Sequence, residues 1–372
     1  MNWGYEQPVK IRFGNCAIKE IKSIAKENNY KNGLIVSTNF FVKNNFADKM
    51  LKDSEGSIVS IFSGIEPNPT VKNVDDCSNF IKENNIEFII ALGGGSALDC
   101  AKAAATIALT EDSIKKYHGT NIKLPKKHLP LIAIPTTAGT GSEVTCVSVL
   151  TDSDLKKKAP IVSDGFYPDY AIVDPTLTYS MTPYITACTG IDVLSHAIEG
   201  YWSKNHQPIC DALAIYASEL VFKYLYKAYC EPEDTIAREK MAEASLIAGM
   251  AFSIPKTTAS HACSFPLTNI YHIPHGEACG LTLDYFARIN KDVEDGRLQE
   301  FSKKLGFKNV DEMADEILNL KKKMNLKCDL KDFNLMDTDI EELVKISRHP
   351  NLYNNPVEIE DKMLYEMYNS FK

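Results

Sequence analysis

Ile86-Glu87-Phe88-Ile89-Ile90-Ala91-Leu92-Gly93-Gly94-Gly95-Ser96 decides the fold class. Its first seven residues form a short apolar run of strand length and the next three are glycines. An alanine-rich helical pattern then runs from Ala97 to about Leu109. A buried strand that turns through glycine into a helix is the repeating unit of a parallel sheet. The turn also suits an anion, because glycines let backbone amides approach closely and the helix dipole adds attraction. It is not the G-x-G-x-x-G fingerprint, since Leu98 stands where the third glycine would be, so nucleotide binding and a plain tight turn both remain open.

The flanking chain repeats the pattern. Val9–Phe13, Gly33–Thr38 and Ser57–Phe62 read as strands, with a helical stretch from Ala17 to about Asn28 and a loop Pro67-Asn68-Pro69-Thr70 whose threonine caps the next helix. After the strand Leu131–Ile134 comes a second small-residue loop, Pro135-Thr136-Thr137-Ala138-Gly139-Thr140-Gly141-Ser142-Glu143, rich in hydroxyls suited to diphosphate and ribose. Two such loops at one edge of a parallel sheet support a nucleotide site better than either alone. Val144–Leu150 and Tyr170–Val173 read as further strands, the latter closed by Asp174-Pro175. The run Lys156-Lys157-Lys158 reads as a solvated turn unless one lysine points inward. From about Thr182 long helical patterns take over, including Ile209–Tyr226, Thr235–Met250 and Asp311–Met324. The boundary is placed near Met181: residues 1–181 form an α/β nucleotide-binding domain and residues 182–372 an all-helical metal-binding domain.

Length and composition agree with two domains, given the usual ~100–200 residues per domain. The net charge of −8 and the absence of a basic stripe argue against nucleic acid or an anionic membrane as partner. No apolar run reaches the roughly 18 residues of a membrane span, and no signal peptide is visible. The ten cysteines include no C-x-x-C pair, which reads as reduced thiols in a cytoplasm.

Thr189-Gly190-Ile191-Asp192-Val193-Leu194-Ser195-His196-Ala197-Ile198-Glu199-Gly200 carries the second signal. On a helix, Asp192 and His196 emerge from one face a turn apart, which is half of a metal site or a polar surface pair. His261 and His275 lie in segments that could supply the other half.

Together, Gly93-Gly94-Gly95-Ser96 with Asp99 and Lys102, the loop Pro135–Glu143, Asp174-Pro175, Thr189–Gly200 and Pro274-His275-Gly276 resemble the iron-containing alcohol dehydrogenase family. The resemblance implies a Rossmann-like parallel-sheet domain and an all-α domain, the two-domain plan shared with dehydroquinate synthase, with a divalent metal between them. It assigns the metal to Asp192, His196, His261 and His275, a set that suits Fe2+ and also Zn2+. It matches Gly94, Gly95, Ser96, Thr136, Thr137, Thr140, Thr145 and Lys158 to cofactor contacts and adds Asn68. Thr38 stands where NAD-preferring members carry an aspartate. Loss of that carboxylate removes repulsion against a 2′-phosphate, so NADPH is expected to be accepted and even preferred; alternatively Thr38 bonds the ribose of NADH.

A second departure is Phe265, where many members place a histidine near the substrate. The runs Lys256–Thr268 and Ile273–Cys279 are similar to the branch that reduces phosphonoacetaldehyde to 2-hydroxyethylphosphonate. On that reading Lys256 or Lys158 faces the phosphonate and phosphonate metabolism is the setting. The alternative is a short-chain alcohol dehydrogenase or aldehyde reductase of butanol or lactaldehyde type, with Phe265 as apolar pocket wall. A dehydroquinate-synthase-like lyase would need a basic cluster that the sequence lacks, and a non-catalytic nucleotide sensor would have no need of four filled ligand positions. No side chain nominates itself as general acid. The family makes a homo-oligomer, such as a dimer, the expected assembly.

Overall fold

The computed structural model describes residues 2–155, 157–293 and 295–372; Lys156, part of the lysine run, lies outside them. The chain divides into two units. One holds Glu6–Thr137 and Ser142–Thr178; the other holds Tyr179–Lys372 together with Ala138–Gly141 and the residues up to Tyr5.

In the first unit the chain runs through β1 (Lys10–Phe13), α1 (Ile21–Glu27), β2 (Gly33–Ser37), α2 (Asn39–Lys43), α3 (Phe46–Asp53), β3 (Ile58–Phe62), α4 (Val71–Glu83), β4 (Phe88–Gly93), α5 (Gly95–Ile107) and β5 (Leu131–Pro135). It continues through β6 (Val147–Asp152), β7 (Lys157–Val162) and β8 (Tyr170–Val173). Six strands form a parallel sheet in the order β1-β8-β5-β4-β2-β3. Strands β2, β4 and β5 are buried along their whole length, as their unbroken apolar runs require in a sheet covered on both faces. Thr70 caps α4 as expected: Asn73 N–H donates to Thr70 Oγ1 (3.1 Å) and Thr70 N–H returns a bond to Asn73 Oδ1 (3.0 Å).

The structure departs from three expectations. Val144 ends a short 3₁₀ turn, and the strand that follows, β6, pairs antiparallel with β7 in a separate two-stranded sheet. Lys157 and Lys158 open β7 and do not form a turn; alternation leaves Lys157 exposed and Lys158 half-buried. The predicted helix from Ala17 is also split, a 3₁₀ segment Ala17–Glu20 preceding α1. Asp174 fixes that segment at the end of β8, accepting from the N–H groups of Cys16 (3.1 Å) and Ile18 (3.2 Å).

The second unit is helical: α6 (Pro183–Trp202), α7 (Pro208–Cys230), α8 (Thr235–Ser253), α9 (Ala259–Tyr271), α10 (His275–Ile289), α11 (Arg297–Lys304), α12 (Val310–Lys323), α13 (Asp337–Ile346) and α14 (Asp361–Phe371). Helix α6 starts with Thr182 as cap and Pro183 in its first turn, and it is buried almost all round, which is why its sequence lacks a polar face. No helix among the described residues is long and apolar enough to cross a membrane.

Candidate metal and nucleotide sites

Glycine sets how closely the helices around Asp192 approach. A Cβ on Gly276 would collide with the Cys188 carbonyl oxygen and lie 2.8 Å from Asp192 Cβ; one on Gly280 would lie 2.7 Å from Ile191 Cγ1. Without those side chains, α10 lies against α6 and its first residue, His275, reaches Asp192. Helix α9 brings His261. Ligand atoms of Asp192, His261, His275 and Cys279 all fall within 4.8 Å of one another, and His261 Nε2 stands 3.7 Å from Asp192 Oδ1.

His196, one turn beyond Asp192, is not in that tight group. Its ring stacks on Phe252 (centroids 4.1 Å apart, 10° between planes) and lies 4.6 Å from the His261 ring. Burial, reinforced by His261, holds His196 well below the usual imidazole range and so in the neutral form that binds metals. Its Nδ1 and His261 Nε2 are buried with no hydrogen-bond partner. Orphaned buried nitrogens carry a penalty that a cation removes, and a carboxylate among imidazoles is a donor set for Fe2+ or Zn2+. The residues present therefore fit a divalent metal. Cys279, one turn after His275, is the neighbour the sequence reading missed; burial raises its thiol to about 11, which disfavours the thiolate.

Glu199 was also given no role, although Asp192, His196 and Glu199 recur at i, i+4 and i+7. It is fully buried. Its Oε1 accepts from Thr258 Oγ1 (2.8 Å), Ser260 N–H (2.7 Å) and His261 N–H (3.4 Å), and its Oε2 is bonded to His261 Nδ1. Burial pulls His261 down, but the neighbouring Cys279 and Glu199 outweigh it and leave the group raised. Phe265 stands between His275 (6.3 Å, near-parallel rings) and His349 (4.6 Å). His349 Nδ1 accepts from Asn351 N–H (3.2 Å), and nothing local in the sequence signals its arrival beside Phe265. Lys256, left-handed at φ 67°, donates its Nζ to Ser253 O (2.5 Å).

In the sheet unit the two glycine and threonine loops do leave the same edge. Strands β4 and β5 are neighbours, Thr136 N–H donates to Gly93 O (3.0 Å), and a Cβ on Gly94 would press within 3.2 Å of Thr137 Oγ1. Gly93 at φ 154° makes the turn into α5, whose first turn contains Gly95 and Ser96. Thr38 follows β2, the other neighbour of β4, and its half-buried side chain makes no capping bond. The chain reverses its direction of strand addition between β2 and β4, the place where open α/β sheets hold ligands.

Asn68 joins Ser96 and Lys158: its N–H donates to Ser96 Oγ (3.2 Å) and its Oδ1 accepts from Lys158 Nζ (2.8 Å). Thr145 has a structural partner, accepting from the buried Lys102 Nζ (3.2 Å), which also donates to Ser142 Oγ (2.7 Å) and Val147 O (3.1 Å). Thr140 falls in the helical unit with Ala138–Gly141. A gap between glycines that a Cβ would fill, with hydroxyls around it and a helix N-terminus behind it, fits a dinucleotide's diphosphate.

Comparison with known proteins gives the chain's family. The model for iron-containing alcohol dehydrogenase matches residues 8–175, and that for the C-terminal domain of the same family matches residues 186–371. A sulfoacetaldehyde reductase from Bifidobacterium kashiwanohense, solved in complex with NAD+, is 61% identical, with a TM-score of 0.98 over 100% of this chain and 99% of that one. Alcohol dehydrogenase 4 of Schizosaccharomyces pombe is 35% identical over 89% of this chain and 80% of its own length. An NADPH-dependent butanol dehydrogenase from Clostridium saccharobutylicum is 32% identical, with 91% and 89% covered. The chain is an oxidoreductase and belongs to the iron-containing alcohol dehydrogenase family.

Proposed function

We propose that this enzyme reduces a two-carbon aldehyde bearing a tetrahedral anion, sulfoacetaldehyde first, to the hydroxyalkyl sulfonate with NADH. The observation that carries the reading is the likeness, along the whole chain, to the sulfoacetaldehyde reductase. Phosphonoacetaldehyde has the same shape with one more negative charge. Each of the two lysines expected to face a dianion holds a neutral acceptor, Lys256 the Ser253 carbonyl and Lys158 Asn68 Oδ1, so the preference for the sulfonate rests on the likeness alone.

In this reading Asp192, His196, His261 and His275 hold the metal. Fe2+ or Zn2+ bound there would supply a Lewis acid for the aldehyde oxygen, and bound NADH would supply the hydride. The protein's part is positional. The amides of Gly94, Gly95 and Ser96 take the diphosphate; Thr136 and Thr137 offer hydroxyls beside it, with Thr140, Thr145, Asn68 and Lys158 as further cofactor contacts. Thr38 bonds the adenosine ribose without repelling a 2′-phosphate, so NADPH is accepted as a slower substitute. Phe265 supplies an apolar wall that excludes water beside His275, and Glu199 keeps a proton on His261 Nδ1. A dimer in the cytoplasm, where its ten free thiols persist, completes the proposal.

Product analysis tests it. Metal-loaded enzyme with NADH and sulfoacetaldehyde is expected to yield hydroxyethylsulfonate in one-to-one ratio with NAD+; NADH loss without that product would refute the substrate.

A further inference from the structure

We infer that Glu199 is the positioning residue of the metal site, joining the start of α9 to the tautomer of His261. The inference rests on the metal-dependent reading above, but it concerns metal binding in the absence of substrate. Helix α9 begins at Ala259 after Thr258, whose side chain makes no capping bond. The Glu199 carboxylate takes that role from α6, accepting the N–H groups of Ser260 (2.7 Å) and His261 (3.4 Å). The Thr258 hydroxyl donates to the same oxygen (2.8 Å) and is itself held by Trp202 Nε1–H (2.7 Å), so the carboxylate has little freedom to turn.

Its second oxygen meets His261 Nδ1. A carboxylate can only accept, so a ring proton sits on Nδ1, and in the neutral ring that binds a metal Nε2 is then bare. That bare nitrogen is the one 3.7 Å from Asp192 Oδ1 and without a hydrogen-bond partner. Outer carboxylates of this kind fix ring orientation and raise ligand basicity, and losing one typically lowers metal affinity about 10–100-fold.

Glu199→Gln is the decisive variant. Its amide keeps the size and can still accept from α9, but the NH2 group facing Nδ1 forces the proton to Nε2, the ligand atom. The readouts are the melting temperature of the metal-free protein, the Zn2+ dissociation constant by chelator competition, and the 15N signals of the His261 ring. Leu225→Ala, a buried change on α7, serves as the purely structural control.

Glu199→Gln is expected to weaken Zn2+ binding about 10–100-fold and to move the His261 proton to Nε2, whereas Leu225→Ala lowers the melting temperature and leaves the Zn2+ constant within about twofold. Zn2+ affinity unchanged in Glu199→Gln, or lowered as much by Leu225→Ala, overturns the inference. Should Glu199→Gln not fold, Glu199→Asp, which keeps the acceptor, is expected to retain the Nδ1–H tautomer, and an Nε2–H signal there overturns it. Normal Zn2+ binding in a protein that reduces no aldehyde would refute the proposed function and leave this inference standing.

Discussion

Gly276 lets His275 and Asp192 meet: a Cβ at position 276 would lie 2.8 Å from Asp192 Cβ and 3.0 Å from the Cys188 carbonyl carbon, both on α6. Gly276→Ala is therefore expected to push α10 off α6, costing about 1–3 kcal/mol as overpacked cores do. Metal content after dialysis should fall with it, because the clash separates two candidate ligands. Denaturant melts with metal analysis check this; unchanged metal content would show that the close approach is not needed.

Glu143 gives a pH signature in the sheet unit. Burial raises its carboxyl to about 7 in the folded protein from the usual 4.5. A raised acid stabilises the fold below its unfolded pKa, and that stability is lost as pH rises through the folded value. The loss between about pH 4.5 and 7 is on the order of 3 kcal/mol. Glu143→Gln removes the titration, so its stability relative to the parent should climb across that window. Parallel pH profiles for the two proteins would contradict it.

Lys102 is fully buried and ties Ser142, Thr145 and Val147 to α5, with Asp99 Oδ1 4.0 Å from its Nζ. Lys102→Met should cost about 3–5 kcal/mol, since it takes the buried ammonium away from the half-buried Asp99 and from the oxygens of Ser142, Thr145 and Val147. It should also weaken NADH binding, measured by fluorescence titration, because the threonine loop loses its anchor. A stable variant with unchanged NADH affinity would remove Lys102 from the account.

His196 and Cys279 are the two candidates for a fourth ligand beside Asp192, His261 and His275. His196 is held neutral and Cys279 is held as a thiol, which favours the imidazole. Cobalt-substituted protein is expected to lack thiolate-to-metal absorption in the near ultraviolet. His196→Ala should lose metal while Cys279→Ser keeps it; a thiolate band abolished by Cys279→Ser would reverse the assignment.

Much of this was legible in the chain. Phe88–Gly93 and Gly95–Ile107 were readable because a fully buried strand needs an unbroken apolar run and its turn needs glycine. The helix that puts Asp192 and His196 one turn apart was readable from its spacing. Strand β7 was hidden because a two-stranded hairpin tolerates lysines that a central strand would not. Glu199 had the right period, but its role depends on where α9 begins, 60 residues later in the chain. His349 reaches Phe265 only through tertiary folding, and no local pattern encodes that.

Preference for a small anionic aldehyde would set this enzyme apart from a general aldehyde reductase. The direct measurement is anaerobic kcat/KM of iron-loaded protein with NADH for sulfoacetaldehyde, phosphonoacetaldehyde and butyraldehyde. A sulfonate value at least about tenfold above butyraldehyde, roughly 1.4 kcal/mol of transition-state discrimination, and above the phosphonate, is the expected result. Butyraldehyde equal to or better than both anions would contradict it and leave a general aldehyde reductase.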